Sequence, residues 1–209
     1  MKKYLAEFIG TFFLVMTVGM TVIGGKGDFA PFAVGAVLMV MVFAGGHVSG
    51  AHYNPAVTFA VLLRGKISIG ESIGYWIVQL LAAAAASATV MYLLNEKIPV
   101  SPMNLADTGK ALLAELIGTF ALAYVVLNVT TAQATAGNSY YGLAIGFTVL
   151  AMAYSFGRIS GSAFNPAVAV GICLLKHISW SNFWIYLLGC FSGAALAAFV
   201  FRLNHPGEA

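Results

Sequence analysis

Charged side chains are scarce in this chain of 209 residues, where 8% are Asp, Glu, Lys or Arg and 60% are hydrophobic. The mean hydropathy is correspondingly high, at +0.90. A soluble domain of this length needs far more charge to stay in solution. The scarcity of charge therefore excludes a soluble globular protein and indicates a chain that lies in a lipid bilayer.

Reactive and ligand-forming residues are also sparse. Cys173 and Cys190 both lie in apolar segments without the spacing of a metal site, so we expect two buried thiols. No nucleophile stands in a recognisable arrangement with a base, and the 10 basic residues are scattered rather than gathered into a patch. The sequence therefore predicts no enzyme, no cofactor, no metal site and no nucleic-acid partner.

Six apolar runs approach the ~20 residues that a membrane-spanning helix requires. They cover roughly 4–25, 29–46, 72–94, 110–129, 140–156 and 182–201. The first run could instead be a cleaved signal peptide, because Lys2 and Lys3 precede it. Glu7 lies inside that run, however, and the segment 6–12 recurs as 114–120. We therefore predict six spans and expect the first to be retained.

The chain is an internal duplication. Glu-x-x-Gly-Thr begins at Glu7 and again at Glu115, 49–57 matches 160–168, and 75–77 matches 183–185. The three markers recur in one order, and the two copies of each are separated by nearly the same length of chain. We divide one integral membrane domain into a first repeat (1–94), an inter-repeat loop (95–109) and a second repeat (110–209).

The number of spans fixes how the two repeats are related. Three spans per repeat is an odd number, so the second repeat begins on the opposite face and the repeats are inverted. The basic residues divide five against five between the two faces, so the positive-inside rule gives no orientation. Lys2 and Lys3 alone favour cytoplasmic N- and C-termini, and the short tails favour the inner membrane of a bacterium.

Each repeat also contains an apolar stretch that is too short to cross a bilayer, over 54–64 and 165–175. Both stretches open with one tripeptide, which is Asn54, Pro55 and Ala56 in the first repeat and Asn165, Pro166 and Ala167 in the second. Asn is a strong N-cap and Pro suits the first helical position, so each stretch predicts a half-length helix. The segments 47–53 and 158–164 should be irregular, which a membrane tolerates only beside a cavity or buried in protein.

The two half-helices should direct the positive ends of their dipoles toward each other near the midplane of the membrane. There the asparagine side chains can cap the helices with their carbonyls and turn N–H donors into the lumen. Such a site holds neutral solutes that carry oxygen lone pairs, and it disfavours a cation without its full hydration shell.

These motifs resemble the aquaporin, or major intrinsic protein, family. The resemblance is carried by 46–58, the second Asn-Pro-Ala tripeptide and both Glu-x-x-Gly-Thr segments, and it covers essentially the whole chain. It implies an all-α membrane protein with an aquaporin-like bundle of six transmembrane helices and two half-helices in an inverted 3+3 repeat. It also implies a homotetramer with a pore in every subunit, where pore width, lining donors and positive barriers set selectivity.

The chain departs from the family pattern at the selectivity filter. Most members place an arginine directly after the second Asn-Pro-Ala, where this chain has Val168. By resemblance, the narrow ring maps to Val34, Ala153, Ser162 and Val168, which are all small and uncharged. We therefore expect a wide, passive channel for water and small neutral solutes such as glycerol, urea and uncharged metalloid acids, including arsenous and boric acid.

Further titratable residues have two interpretations each. Glu7 and Glu115 could form a proton or ion relay, but their symmetry favours structural support in which each carboxylate accepts backbone N–H groups from its own repeat's loop. His47 and His52 lack a third ligand for a metal, and one of them could line the inner vestibule. Arg158 should lie nearer the outer mouth, where a vestibule role is favoured over a filter role.

An ion-coupled secondary transporter of a small polar solute is the alternative function, because inverted repeats and broken helices also occur in that class. Coupling would need a carboxylate or another ion site beside the substrate, and the Asn-Pro-Ala segments offer none. A structural or adhesion role is a third alternative, but the short loops leave little surface for a partner. The sequence favours the passive channel.

Overall fold

A computed structural model describes residues 1–25, 27–94, 105 and 107–208 of the chain. Six of the helices in this described part are long and apolar enough to cross a membrane, with a mean hydropathy between 1.4 and 2.1 over each span. Two short helices complete the main elements. The helices are α1 (Lys2–Val18), α2 (Ala30–Ser49), α3 (Pro55–Leu63), α4 (Ile69–Leu94), α5 (Thr108–Thr131), α6 (Tyr141–Ser160), α7 (Pro166–Leu174) and α8 (Phe183–Asn204).

The predicted fold class is confirmed, because six spanning helices and two half-helices form an inverted 3+3 bundle. In the first repeat α1 packs against α2 and α4, and in the second α5 packs against α6 and α8. The helices α2 and α6 pack against each other and join the repeats. The predicted loop 95–109 lies mostly outside the described residues, and α5 begins at Thr108 with Asp107 as its N-cap.

The segments predicted to be irregular are shorter than expected, because α2 and α6 continue to Ser49 and Ser160. The prediction for 47–49 and 158–160 was therefore wrong. Each helix ends where a glycine adopts the left-handed conformation, with φ of +86° at Gly50 and +83° at Gly161. Glycine takes this conformation without a Cβ penalty, and it is the common residue just past a helix C-terminus.

The third repeat marker also needs correction. Tyr75 Oη donates to the carbonyl of Ser49 at 2.7 Å, and Tyr186 Oη donates to the carbonyl of Ser160 at 2.5 Å. Tyr75 is therefore equivalent to Tyr186, at the same offset that relates Ser49 to Ser160, so the match of 75–77 to 183–185 was out of register. A local Trp-Ile coincidence produced the wrong match. From the irregular loops onward, the two repeats keep one constant offset.

The half-helices run to opposite faces of the bundle. The end of α3 lies at the face that holds Lys3 and Glu208, hereafter the terminal face, because Arg64 forms an ion pair with Glu208. The end of α7 lies at the other face, hereafter the opposite face. There Leu175 packs beside Gly19, at the far end of the first span.

Candidate functional site

The two half-helices begin beside each other in the centre of the bundle, and each is capped by its asparagine. Asn54 Oδ1 accepts the backbone N–H groups of Ala56 at 2.8 Å and Val57 at 3.4 Å. Asn165 Oδ1 accepts those of Ala167 at 2.9 Å and Val168 at 3.4 Å. Both asparagines have extended backbone and precede a proline, which is the arrangement that starts a helix.

The same two asparagines also link the repeats. Asn54 Nδ2 donates to the carbonyl of Phe164, and Asn165 Nδ2 donates to the carbonyl of Tyr53, both at 2.9 Å. A carboxamide has two N–H donors, so each asparagine retains one for the cavity that it lines. The sequence predicted lumen-facing donors, but half of that donor capacity holds the two loops together.

Both loops have a strained backbone that is repeated in the two halves. Ala51 and Tyr53 have φ of +51° and +50°, and Ser162 and Phe164 have φ of +52° and +48°. The left-handed conformation costs a non-glycine residue roughly 1–2 kcal/mol. It also turns successive N–H groups toward one point, which forms a concave site for an anion.

A buried carboxylate occupies each of these concave sites. Glu7 accepts the N–H of His52 at 2.9 Å and of Tyr53 at 2.7 Å. Glu115 accepts the N–H of Ala163 at 3.0 Å and of Phe164 at 2.7 Å. The carboxylates therefore hold the loops in their strained form.

Further donors surround each carboxylate. Ser49 Oγ and Gln79 Nε2 donate to Glu7 at 2.7 Å and 2.9 Å. Ser160 Oγ donates to Glu115 at 2.7 Å, and Cys190 Sγ lies 3.7 Å from the same carboxylate. Neither glutamate is among the described residues that line the cavity. Their contacts are those of structural anchors and not of groups that meet a passing solute.

A mainly apolar cavity of about 240 Å³ passes both asparagines and opens toward the opposite face. Its wall includes all four residues of the predicted filter ring, namely Val34, Ala153, Ser162 and Val168. Ser162 Oγ is buried, so this hydroxyl does not face the cavity. The ring therefore offers small side chains and no charge to a solute.

The three residues predicted to line a vestibule have different surroundings in the structure. His52 lines the main cavity and also a second cavity of about 190 Å³ at the terminal face, and its Nδ1 lies 3.1 Å from Thr58 Oγ1. Arg158 is exposed in the last turn of α6 and lines the main cavity. His47 is exposed on α2 and is not among the described residues that line either cavity.

Sequence reasoning missed His177, which lines the main cavity beyond the end of α7. The duplication could have found it, because the offset that relates Asn54 to Asn165 places His177 at the position that Lys66 has after α3. Lys66 lines the second cavity. Among the described residues, no group of three or more His, Cys, Asp or Glu side chains is placed to hold a metal ion.

Comparisons with known proteins agree with this architecture. A family model described as Major intrinsic protein matches residues 1–201. Glycerol uptake facilitator protein-like 6 of Lactiplantibacillus plantarum is 37% identical, over 97% of this chain and 98% of that protein. A probable aquaporin NIP-type of Nicotiana alata is 32% identical, over 97% of this chain and 77% of that protein.

A solved structure shares the fold. The aquaglyceroporin from Plasmodium falciparum superposes with a TM-score of 0.83, over 99% of this chain and 98% of that chain, at 23% sequence identity. At this identity the likeness concerns the fold alone. Together with the family match over residues 1–201, these findings show that the chain belongs to the major intrinsic protein family, whose members are membrane channels.

Proposed function

We propose that this protein is a passive channel for water and small uncharged solutes, with a filter wide enough for glycerol, urea and neutral metalloid acids such as arsenous and boric acid. The observation that carries the proposal is the ring of Val34, Ala153, Ser162 and Val168 around the cavity. Four small residues leave room for solutes that are larger than water.

The electrostatics of the pathway favour neutral solutes. Two half-helices direct their N-terminal ends at its centre, where an unsolvated cation meets two positive dipole ends. A filter arginine would add a unit charge, worth ~4 kcal/mol against an ion ~4 Å away at an effective dielectric of 20. With Val168 in its place, charge rejection rests on the half-helices and on the cost of dehydrating the ion.

The name of one relative points to the same solute class. A glycerol uptake facilitator-like protein is 37% identical to this chain along almost its full length. By the same family resemblance we propose a homotetramer with one pore per subunit, in the cell (inner) membrane, with cytoplasmic N- and C-termini. We propose no catalytic activity for this protein.

The experiment that tests this function replaces Val168 with Arg and measures solute permeability by proteoliposome swelling. The arginine narrows the ring, so we expect glycerol and urea permeability to fall by at least about tenfold, which corresponds to ~1.4 kcal/mol. Water permeability should fall much less. Val168→Met adds comparable length without charge and separates the effect of bulk from that of charge.

The proposal fails if the wild-type protein passes water but excludes glycerol, urea, boric acid and arsenous acid. It also fails if Val168→Arg leaves the range of permeating solutes unchanged. The size-exclusion profile of each variant in detergent serves as the control for folding.

A further inference from the structure

The two half-helices present equivalent stripes of side chains to the pathway. Four residues of α3 and its flanks line one of the two cavities, and each has a partner at one constant offset in the second repeat that lines the main cavity. The pairs are Asn54 with Asn165, Val57 with Val168, Val61 with Ile172, and Lys66 with His177. Residues at equivalent positions of the two inverted repeats therefore line the cavities.

The last residue of each stripe reaches the pathway because the half-helix ends in a left-handed turn. This turn is at Gly65, with φ of +76°, and at Lys176, with φ of +59°. The next N–H then bonds back to the helix, from Lys66 to the carbonyl of Val61 at 3.1 Å and from His177 to that of Ile172 at 2.9 Å. These bonds hold the backbone of both residues at the end of the half-helix, where each residue lines a cavity.

The two stripes differ in chemistry most clearly at this last position. Lys66 brings a positive charge to the terminal face, while His177 brings an imidazole to the opposite face. Burial lowers the pKa of His177 below its ordinary value, which favours the neutral form of the ring at neutral pH. A neutral imidazole has one donor and one acceptor nitrogen, so it can donate a hydrogen bond to a hydroxyl or an amide group, or accept one from it.

The α7 wall is apolar between His177 and Asn165, because Val168 and Ile172 lie between them. A solute that enters from the opposite face thus loses hydration before it reaches the asparagine donor. Three other polar residues of the described chain line the cavity at that mouth, namely Asp28, Tyr154 and Arg158. Tyr154 Oη donates to the backbone carbonyl of Asp28 at 2.7 Å, and Arg158 is exposed to solvent.

We propose that His177 is a specificity-determining residue of the pathway, which hydrogen-bonds hydroxyl- and amide-bearing neutral solutes at the opposite mouth, before the apolar stretch. The assignment rests on the proposed channel function and deepens it. It predicts that His177 affects polyols and urea more than water, because water is small enough to pass this mouth with other waters as partners.

The test compares His177→Phe with His177→Asn in reconstituted vesicles, with stopped-flow measurement of water, glycerol and urea permeability. Phenylalanine keeps the ring and removes both hydrogen-bonding atoms, while asparagine keeps a donor and an acceptor. A lost neutral hydrogen bond lowers the glycerol-to-water and urea-to-water permeability ratios by about two- to tenfold in His177→Phe. His177→Asn should retain most of both ratios.

His47→Phe is the matched control, because it makes the same substitution at an exposed histidine that is not among the described cavity-lining residues. It should leave all permeabilities unchanged. Unaltered ratios in His177→Phe, or an equal fall in the Phe and Asn variants, would overturn the assignment while the channel function stands. A wild-type protein that passes no solute at all would instead refute the channel itself, and the assignment with it.

Discussion

Gly10 and Gly118 show how single residues permit the strained loops. A Cβ on Gly10 would overlap the ring of Tyr53, and a Cβ on Gly118 would overlap the ring of Phe164. Each ring belongs to the last residue of its loop and lies across the helix that carries the glutamate anchor. The glycine in Glu-x-x-Gly-Thr is therefore the contact surface for the loop that the glutamate holds.

Gly118→Ala should destabilise the protein, because the added methyl group forces the Phe164 ring and the loop before Asn165 to move. Overpacking of this kind costs about 1–3 kcal/mol, so we expect the apparent Tm in detergent to fall by roughly 2–10 °C. Thermal unfolding followed by tryptophan fluorescence measures the change.

Gly70→Ala is the matched control, since Gly70 lies in α4 and a Cβ there meets open space. Alanine is also the better helix former. The Tm of Gly70→Ala should therefore equal or exceed that of the wild type. Equal Tm values for Gly118→Ala and the wild type would contradict the contact between Gly118 and Phe164.

The duplicated motifs predicted which residues matter more readily than how they act. Their repetition identified Glu7, Glu115 and both asparagines. Because the two glutamates are ionisable residues inside apolar spans, the sequence also predicted that each bonds to the loop of its own repeat. The bonds from each asparagine to the opposite repeat could not be predicted, because they depend on the distance between two loops in space. His177 was missed because a single histidine after a short helix carries no local signal.

At the scale of elements, the two half-helices are anchored by different chemistry. Arg64 caps α3 and is buried, with Glu208 Oε2 3.1 Å from its Nη2 and the ring of Phe201 4.8 Å from its Cζ. Glu208 Oε1 also accepts the N–H of Gln133 at 3.0 Å. The equivalent residue after α7 is Leu175, which is apolar and buried.

Glu208→Ala should weaken the anchoring of α3, because it leaves the guanidinium of Arg64 buried without its carboxylate. Removing one partner of a buried ion pair costs about 3–5 kcal/mol. We expect a cost of ~3 kcal/mol here, since the carbonyl of Glu208 still accepts from Arg64. The apparent Tm in detergent should fall accordingly.

Glu71→Ala provides the comparison at the same face. Glu71 pairs with Lys3 at 2.7 Å, but the lysine side chain is 56% exposed, against 4% for Arg64. Solvent screens an exposed pair of this kind, so this substitution should change the Tm little. A Tm loss as small in Glu208→Ala as in Glu71→Ala would argue against a structural role for the Glu208 anchor.

The element boundaries were predicted best where the sequence contains a recognisable helix N-cap. The half-helices lie at Pro55–Leu63 and Pro166–Leu174, within the predicted stretches, because Asn-Pro is an unambiguous start. The ends of α2 and α6 were misplaced because several small residues precede Gly50 and Gly161.

On the scale of the whole molecule, the inverted repeats keep the two buried carboxylates away from the pathway. Glu7 and Glu115 are anchored to the loops, and among the described residues that line the main cavity the carboxylate is that of Asp28, at the opposite mouth. An ion-coupled transporter needs an ion site beside its substrate near the midplane. The centre of this pathway instead carries two asparagines and two helix N-termini.

Solute flux through the protein should therefore follow the solute gradient alone. We expect a protonophore, or removal of sodium, to leave glycerol uptake into proteoliposomes unchanged, because the described residues at the midplane include no group that binds an ion together with the solute.

Asp28→Asn removes the carboxylate at the mouth, and its uptake should match that of the wild type. Uptake that collapses with the protonophore, or accumulation of glycerol above its external concentration, would contradict a passive channel and favour a coupled transporter. Linear flux in both directions would distinguish the channel from a carrier that alternates between the two faces.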